Sequence, residues 1–149
     1  GIPFGLMGEM LQNGGNPWRG MIYGMTNRYP WTEDADPRPI WKAWNEFGMK
    51  GTEMIGYWRE NCPVKTDNKN VLATVYKKNG AALISIASWA DTTVNIHLVI
   101  DWKKLGIDIS KATITAPGIK NFQPAHNFGL NDPIEMQKGK GWLLVIKEK

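Results

Sequence analysis

The sequence predicts an α+β chain, with an N-terminal helical, aromatic-rich segment and a C-terminal antiparallel β-sandwich. Three observations predict it. Composition changes near residues 61–67: five of eight Trp, six of seven Met and all four Arg lie before residue 60, and the later cations are lysines and two histidines. Residues 1–63 carry a net charge of −1 and residues 64–149 a net charge of +5. Apolar positions recur at helical spacing before residue 48 and at a period of two after residue 71. The expected division is 1–62 for the helical segment and 63–149 for the sandwich.

The helical part is read from its punctuation. Asn13-Gly14-Gly15-Asn16-Pro17 is a loop, and Pro17 suits the first turn of a short helix from Trp18 to Met25. Residues 1–12, with Phe4, Leu6, Met7, Met10 and Leu11, fit either a glycine-weakened helix or a buried strand. A clearer helix begins at an Asp36 cap with Pro37 in the first helical position, and it leaves at Gly48. Ile40, Trp41, Trp44 and Phe47 form its apolar face, and Trp41 and Trp44 are expected in a core. Met54 to Trp58 is short and aromatic, as a strand would be.

The sheet part is read from alternation. Val71–Lys77 and Ala81–Trp89 are paired strands across Asn79-Gly80, the dipeptide of a type I′ turn with positive φ at both central residues. Val94–Ile100 is a third strand, with Val94, Ile96, Leu98 and Ile100 on one face. Asp101–Leu105 makes one helical turn stopped by Gly106. Ala112–Ala116 and Trp142–Lys147 add strands, with short ones at Ile119–Phe122 and Ile134–Met136. Short strands at this spacing suit an antiparallel sandwich or barrel, and the sandwich is the expectation.

Composition also excludes. A chain of 149 residues with 42% hydrophobic and 21% charged residues is not disordered. No apolar run approaches the roughly 20 residues of a membrane helix. A complete (β/α)₈ barrel needs about 250 residues. The single Cys62 rules out an internal disulfide framework. The lysines are scattered rather than aligned, so they read as a solvated face and no nucleic-acid partner is expected. The chain opens Gly1-Ile2-Pro3-Phe4 with no initiator Met and no signal peptide, which leads us to expect a piece from the C-terminal end of a longer protein.

Candidate chemistry is concentrated before residue 63. His97 shares a polar face with Asn95, and His126 sits in a loop. Neither has metal-ligand spacing, so neither a metal nor a cofactor is expected. Cys62 precedes Pro63 with no nearby His and is not read as a nucleophile. Glu9 lies in the apolar stretch Gly8-Glu9-Met10-Leu11, where burial would raise its pKa as a general acid requires. It is the candidate catalytic residue; pairing with an arginine or exposure at a bend is the alternative, and the blander, explanation. Glu53 and Glu60 flank the aromatic stretch, while Glu33, Asp34 and Asp36 serve a loop and a cap. Trp18, Tyr23, Tyr29, Trp31, Tyr57 and Trp58 accompany Arg19, Arg28 and Arg59. Flat rings stack on apolar sugar faces while arginines and carboxylates bond hydroxyls. The candidate substrate-binding residues are therefore Trp18, Arg28, Trp31, Tyr57 and Trp58, or else the rings simply fill a core.

Several stretches taken together carry a resemblance: Gly5-Leu6-Met7-Gly8-Glu9-Met10-Leu11, Asn16-Pro17-Trp18-Arg19-Gly20-Met21, and Trp41-Lys42-Ala43-Trp44-Asn45-Glu46-Phe47-Gly48. It continues through Met54-Ile55-Gly56-Tyr57-Trp58, Ser88-Trp89-Ala90 and Gly139-Lys140-Gly141-Trp142-Leu143-Leu144. The chain resembles the C-terminal region of a glycoside-hydrolase-like family from polysaccharide-degrading bacteria. That resemblance implies a (β/α)₈ barrel followed by a small β-sandwich, with residues 1–62 as the remnant of the barrel. It implies an exported parent, periplasmic or at the cell surface, with carbohydrate as its partner. Glu9 would then lie near a strand end at the barrel mouth. The isolated piece is expected to be inactive, forming part of a carbohydrate-site wall and a stabilising sandwich. The other reading is a non-catalytic carbohydrate-binding or structural interaction module.

Overall fold

Two alternating strands joined by two residues give the sheet its centre. A computed structural model of the chain describes residues 16–24 and 37–149. Strand β3 (Val71–Lys78) pairs with β4 (Ala81–Ser88) from Val71↔Ser88 to Lys78↔Ala81, so the loop is Asn79-Gly80. Gly80 has φ +70° but Asn79 keeps a negative φ, so the expected type I′ turn does not form. A left-handed second residue alone closes this hairpin, and glycine supplies it without a Cβ clash.

The sheet grows on both sides of that hairpin. Its order is β1-β3-β4-β10-β7-β8, all antiparallel, with β1 at Glu53–Ile55, β7 at Ala112–Ala116, β8 at His126–Phe128 and β10 at Gly141–Glu148. Two short pairs lie apart from it: β2 (Val64–Thr66) with β6 (Leu98–Ile100), and β5 (Val94–Ile96) with β9 (Ile134–Met136). One face of the large sheet (Ala73, Val75, Ile84, Ile86, Leu144, Ile146) packs with Val64, Ile96, Ile134 and Met136 of those pairs. This is the sandwich core.

The opposite face carries helices. Helix α1 (Pro17–Ile22) and helix α2 (Arg38–Phe47) bring Met21 and Ile40 onto Tyr76, Leu83 and Leu143. Strand β4 is consequently buried on both faces from Ala82 to Ser88, which explains why Ala82-Leu83-Ile84-Ser85-Ile86-Ala87 reads as a nearly continuous apolar run. A short helix α3 (Trp102–Leu105) starts at Asp101, whose carboxylate accepts the Lys104 N–H, and stops at left-handed Gly106. Both ends are as the sequence predicts.

Several local expectations are corrected. Helix α1 stops at Ile22 rather than Met25, with Tyr23 as its cap. Pro37 occupies the cap of α2 rather than its first turn, and Asp36 lies outside the described residues. Trp41 is 37% exposed rather than core, because α2 turns only its Ile40 and Trp44 side toward the sheet. Lys78 donates to the terminal carbonyl of Phe47 and its ammonium lies 4.2 Å from that ring's centroid, which ties the end of α2 to β3. The aromatic strand ends at Ile55, leaving Tyr57 and Trp58 in turns. Val94–Ile100 keeps its single apolar face but breaks at His97, where it leaves β9 for β2. Residues 119–122 form no strand, only a bridge from Ile119 to Gln123, whereas His126 begins β8 instead of sitting in a loop.

Candidate functional site

The C-terminal end of α1 and the turn after β1 are held by one buried hydroxyl. A helix end leaves carbonyls without partners. Here the Thr74 hydroxyl donates to the Ile22 carbonyl at 2.8 Å, and the Tyr76 hydroxyl donates to the Met21 carbonyl at 2.6 Å. Thr74 Oγ1 also accepts the Tyr57 N–H at 3.3 Å. Burial pushes the Tyr76 phenol well above the ordinary tyrosine range, so it stays protonated and donates. Two neighbouring β3 residues thus position the backbone on both sides of an aromatic group.

That group is Tyr23, Tyr57 and Trp58. The Tyr23 and Tyr57 hydroxyls are 3.0 Å apart. The Trp58 ring lies parallel to Tyr23, with centroids 5.9 Å apart at 12°, and meets Tyr57 edge-on at 5.3 Å. Tyr23 and Tyr57 are themselves edge-on at 5.9 Å. These are the offset and T-shaped arrangements that aromatic quadrupoles favour. Gly56 makes room for them, because a Cβ there would run into the Trp58 indole. Trp58 remains 54% exposed, with exposed Arg59 and Glu60 following it. A large, half-exposed indole braced by two tyrosines offers a flat apolar face beside charged, hydrogen-bonding neighbours.

A second aromatic group forms at the other end of α1. Asn16 caps the helix by accepting the Arg19 N–H at 3.1 Å and donates from its amide to the Gly139 carbonyl at 2.7 Å. Trp18 stacks on Phe122 with centroids 4.6 Å apart at 15°, and the Lys140 ammonium lies 5.9 Å from the Trp18 ring. The Arg19 guanidinium lies over Trp89 at 4.9 Å and bonds the Ser88 carbonyl.

Of the residues expected to bind substrate, Tyr57 and Trp58 come together and are joined by Tyr23. Trp18 stands about 7.5 Å further along the helix axis from Tyr23, at 1.5 Å per residue, and belongs to the second group. Glu9, Arg28, Trp31 and Tyr29 lie outside the described residues. Sequence reasoning did not single out Thr74 or Phe122. Thr74 could be found as a small hydroxyl two residues before Tyr76 on the same face of β3. Phe122 carried no signal, because its contact with Trp18 is made only by folding.

The remaining candidates have structural roles. Cys62 is 5% exposed, and its thiol faces the carbonyls of Val64 at 3.3 Å and Ile55 at 3.5 Å. Desolvation pushes its pKa up, the reverse of what a nucleophile needs. We expect Ellman's reagent to leave the native thiol unlabelled over minutes and to label it fully in 6 M guanidinium; rapid native labelling would contradict this burial. His97 is exposed and pairs with Asp67 at 3.1 Å. Its backbone N–H is the main cause holding the Asp67 carboxyl below the usual range. The His126 ring packs edge-on to Phe128 at 4.4 Å. Among the described residues no cluster of His, Cys, Asp and Glu could hold a metal ion, and no helix is long and apolar enough to cross a membrane.

Residues 36–147 match the family model described as glycoside hydrolase 123, C-terminal domain. Residues 1–30 match the one described as glycoside hydrolase 123, TIM-barrel domain. No curated protein and no solved structure matches the chain. Helix α1 and Tyr23 therefore lie in the barrel-matched stretch, and Tyr57 and Trp58 in the C-terminal-domain match.

Proposed function

The chain belongs to glycoside hydrolase family 123, and from that premise we propose that its Tyr23–Tyr57–Trp58 group forms one wall of a carbohydrate site. The supporting observation is that this group straddles the two family domains. Tyr23 comes from the barrel-matched residues, and Trp58 stacks on it from the C-terminal domain. A sugar ring laid on Trp58 would keep its hydroxyls within reach of Arg59 and Glu60 on the same turn. Arg28 and Trp31 complete the proposed substrate-binding set, together with Trp18. Glu9, within the barrel-matched residues, is the proposed acid.

We divide the chain at residues 62 and 63, with the sandwich as the stabilising part and β1 as the strand that the first part lends to its sheet. The second carboxyl needed for hydrolysis would come from further barrel sequence, since 30 residues match a domain type that takes about 250. The 149-residue chain is accordingly inactive by itself.

Tryptophan fluorescence, titrated with soluble polysaccharides and oligosaccharides, tests the wall. A saturable shift is expected, weakened by about tenfold or more in Trp58→Ala, which corresponds to about 1.4 kcal/mol. Trp31→Ala runs beside it. Unchanged affinity in a folded Trp58→Ala variant would remove Trp58 from the site. Release of reducing sugar by the 149-residue chain would overturn its inactivity.

A further inference from the structure

The cleft beside the second aromatic group takes in Trp18 but none of Tyr23, Tyr57 and Trp58. It measures about 220 Å³ and is lined by Trp18, Phe122 and Trp142 on its apolar side. Glu135, Gln137 and Lys140 from β9 and the loop into β10 complete it. That volume is below the range of about 300–1,000 Å³ typical of drug-sized ligands. It suits a single six-membered ring.

The cleft is built, and its parts are fastened by bonds that leave other groups free. Trp142 spends its indole N–H on the Glu135 carbonyl at 2.8 Å, which fixes the ring across the β9–β10 connection. Phe128 braces it edge-on at 5.4 Å. Gln123 is 8% exposed and uses its whole amide on Pro117 and Leu143, at 2.7 and 2.8 Å. Asn16 ties the opposite lip to Gly139. The exposed side chains of Glu135 and Gln137 take no hydrogen bond among the described residues. Among the described residues the Lys140 ammonium meets the Trp18 ring and no hydrogen-bond acceptor.

We infer that this cleft is a second carbohydrate subsite, one that takes a single sugar ring. Apolar C–H faces of the ring would lie against the indoles. Hydroxyls would donate to the Glu135 carboxylate and accept from the Lys140 ammonium, and the Gln137 amide does both. The aromatic lining is fastened before any ligand arrives, so the ordering entropy of binding falls on the exposed Glu135, Gln137 and Lys140 side chains. The inference stands apart from the Tyr23–Tyr57–Trp58 group, with which the cleft shares no residue.

Amide chemical-shift mapping of the 149-residue chain tests it, with methyl hexosides and neutral disaccharides as probes. Saturable shifts are expected at the amides of Phe122, Gln137, Lys140 and Gly141. They should survive Trp58→Ala and weaken at least tenfold in Glu135→Ala/Lys140→Ala, whose sites are exposed and leave the core intact. Shifts confined to Tyr23, Tyr57 and Trp58 would overturn the cleft while supporting the wall. Cleft shifts unaffected by the double variant would overturn the assigned chemistry. No shifts from a folded sample would overturn the cleft.

Discussion

Met21→Ala is expected to destabilise the fold by about 2–5 kcal/mol, the range for truncating a fully buried long side chain. Met21 has no exposed surface and packs with Ile40, Tyr76, Leu83, Ile119 and Leu143. It is also the centre of α1's attachment, because its own carbonyl takes the Tyr76 hydroxyl. Helix α1 has six residues, far fewer than the roughly 12–15 that hold a helix in isolation. Its structure therefore depends on docking. A domain of this size has about 5–15 kcal/mol of stability in all, so the loss is a large share. Thermal unfolding should show a fall in Tm on the order of 10 °C. The exposed pair Lys42–Glu46, 3.9 Å apart, supplies the contrast: Lys42→Ala should change stability by about 0.5 kcal/mol or less. Equal effects of the two substitutions would show that α1 is not seated on the sheet. Undocking α1 also releases Tyr23, so Met21→Ala should weaken any ligand that uses the Trp58 platform.

Gly141→Ala is expected to cost about 3 kcal/mol or more, at the upper end of overpacking penalties. Gly141 opens β10 opposite Ala87 of β4. A Cβ there would overlap the Ile86 carbonyl oxygen and stand 2.8 Å from the Ile86 carbonyl carbon and 3.0 Å from the Ala87 Cα. These are backbone atoms of a strand buried on both faces, so no rotamer change relieves the overlap. Gly139, two residues earlier, isolates the other use of glycine. Its φ is +69° with nothing within 4 Å of an added Cβ, so Gly139→Ala carries only the left-handed penalty of about 1–2 kcal/mol. Urea unfolding of the two variants should place Gly141→Ala well below Gly139→Ala in midpoint. The reverse order would mean that β10 does not approach β4 as closely as described.

Local signals were legible where neighbours in sequence are also neighbours in space. The β3–β4 register follows from alternation across Asn79-Gly80, and α3 is readable from Asp101 to Gly106. The turn type at Asn79 was not, because strand twist and packing chose a conformation that either residue could enter. Trp58 illustrates the same limit at the site. Its ring is exposed, as suits a candidate binding residue, but Trp41, expected in a core, is 37% exposed as well. Exposure depends on which face meets the sheet, and a single indole carries no mark of that.

The sequence by itself determined the α+β class, the short antiparallel strands, most of the element ends and the aromatic-rich character of the N-terminal half. These depend on residue periodicity and on backbone preferences of Gly, Pro, Asn and Asp, which act over a few residues. Tertiary structure alone decided the rest. It buried β4 twice by bringing α1 and α2 onto one face and the two short strand pairs onto the other. It broke Val94–Ile100 between two partners at His97, and made Thr74 the common anchor of Ile22 and Tyr57. It also sent Trp18 to Phe122 instead of to Trp58. Each of these is a contact between segments distant in the chain, formed because apolar surface left over after local folding is removed from water wherever the shapes fit.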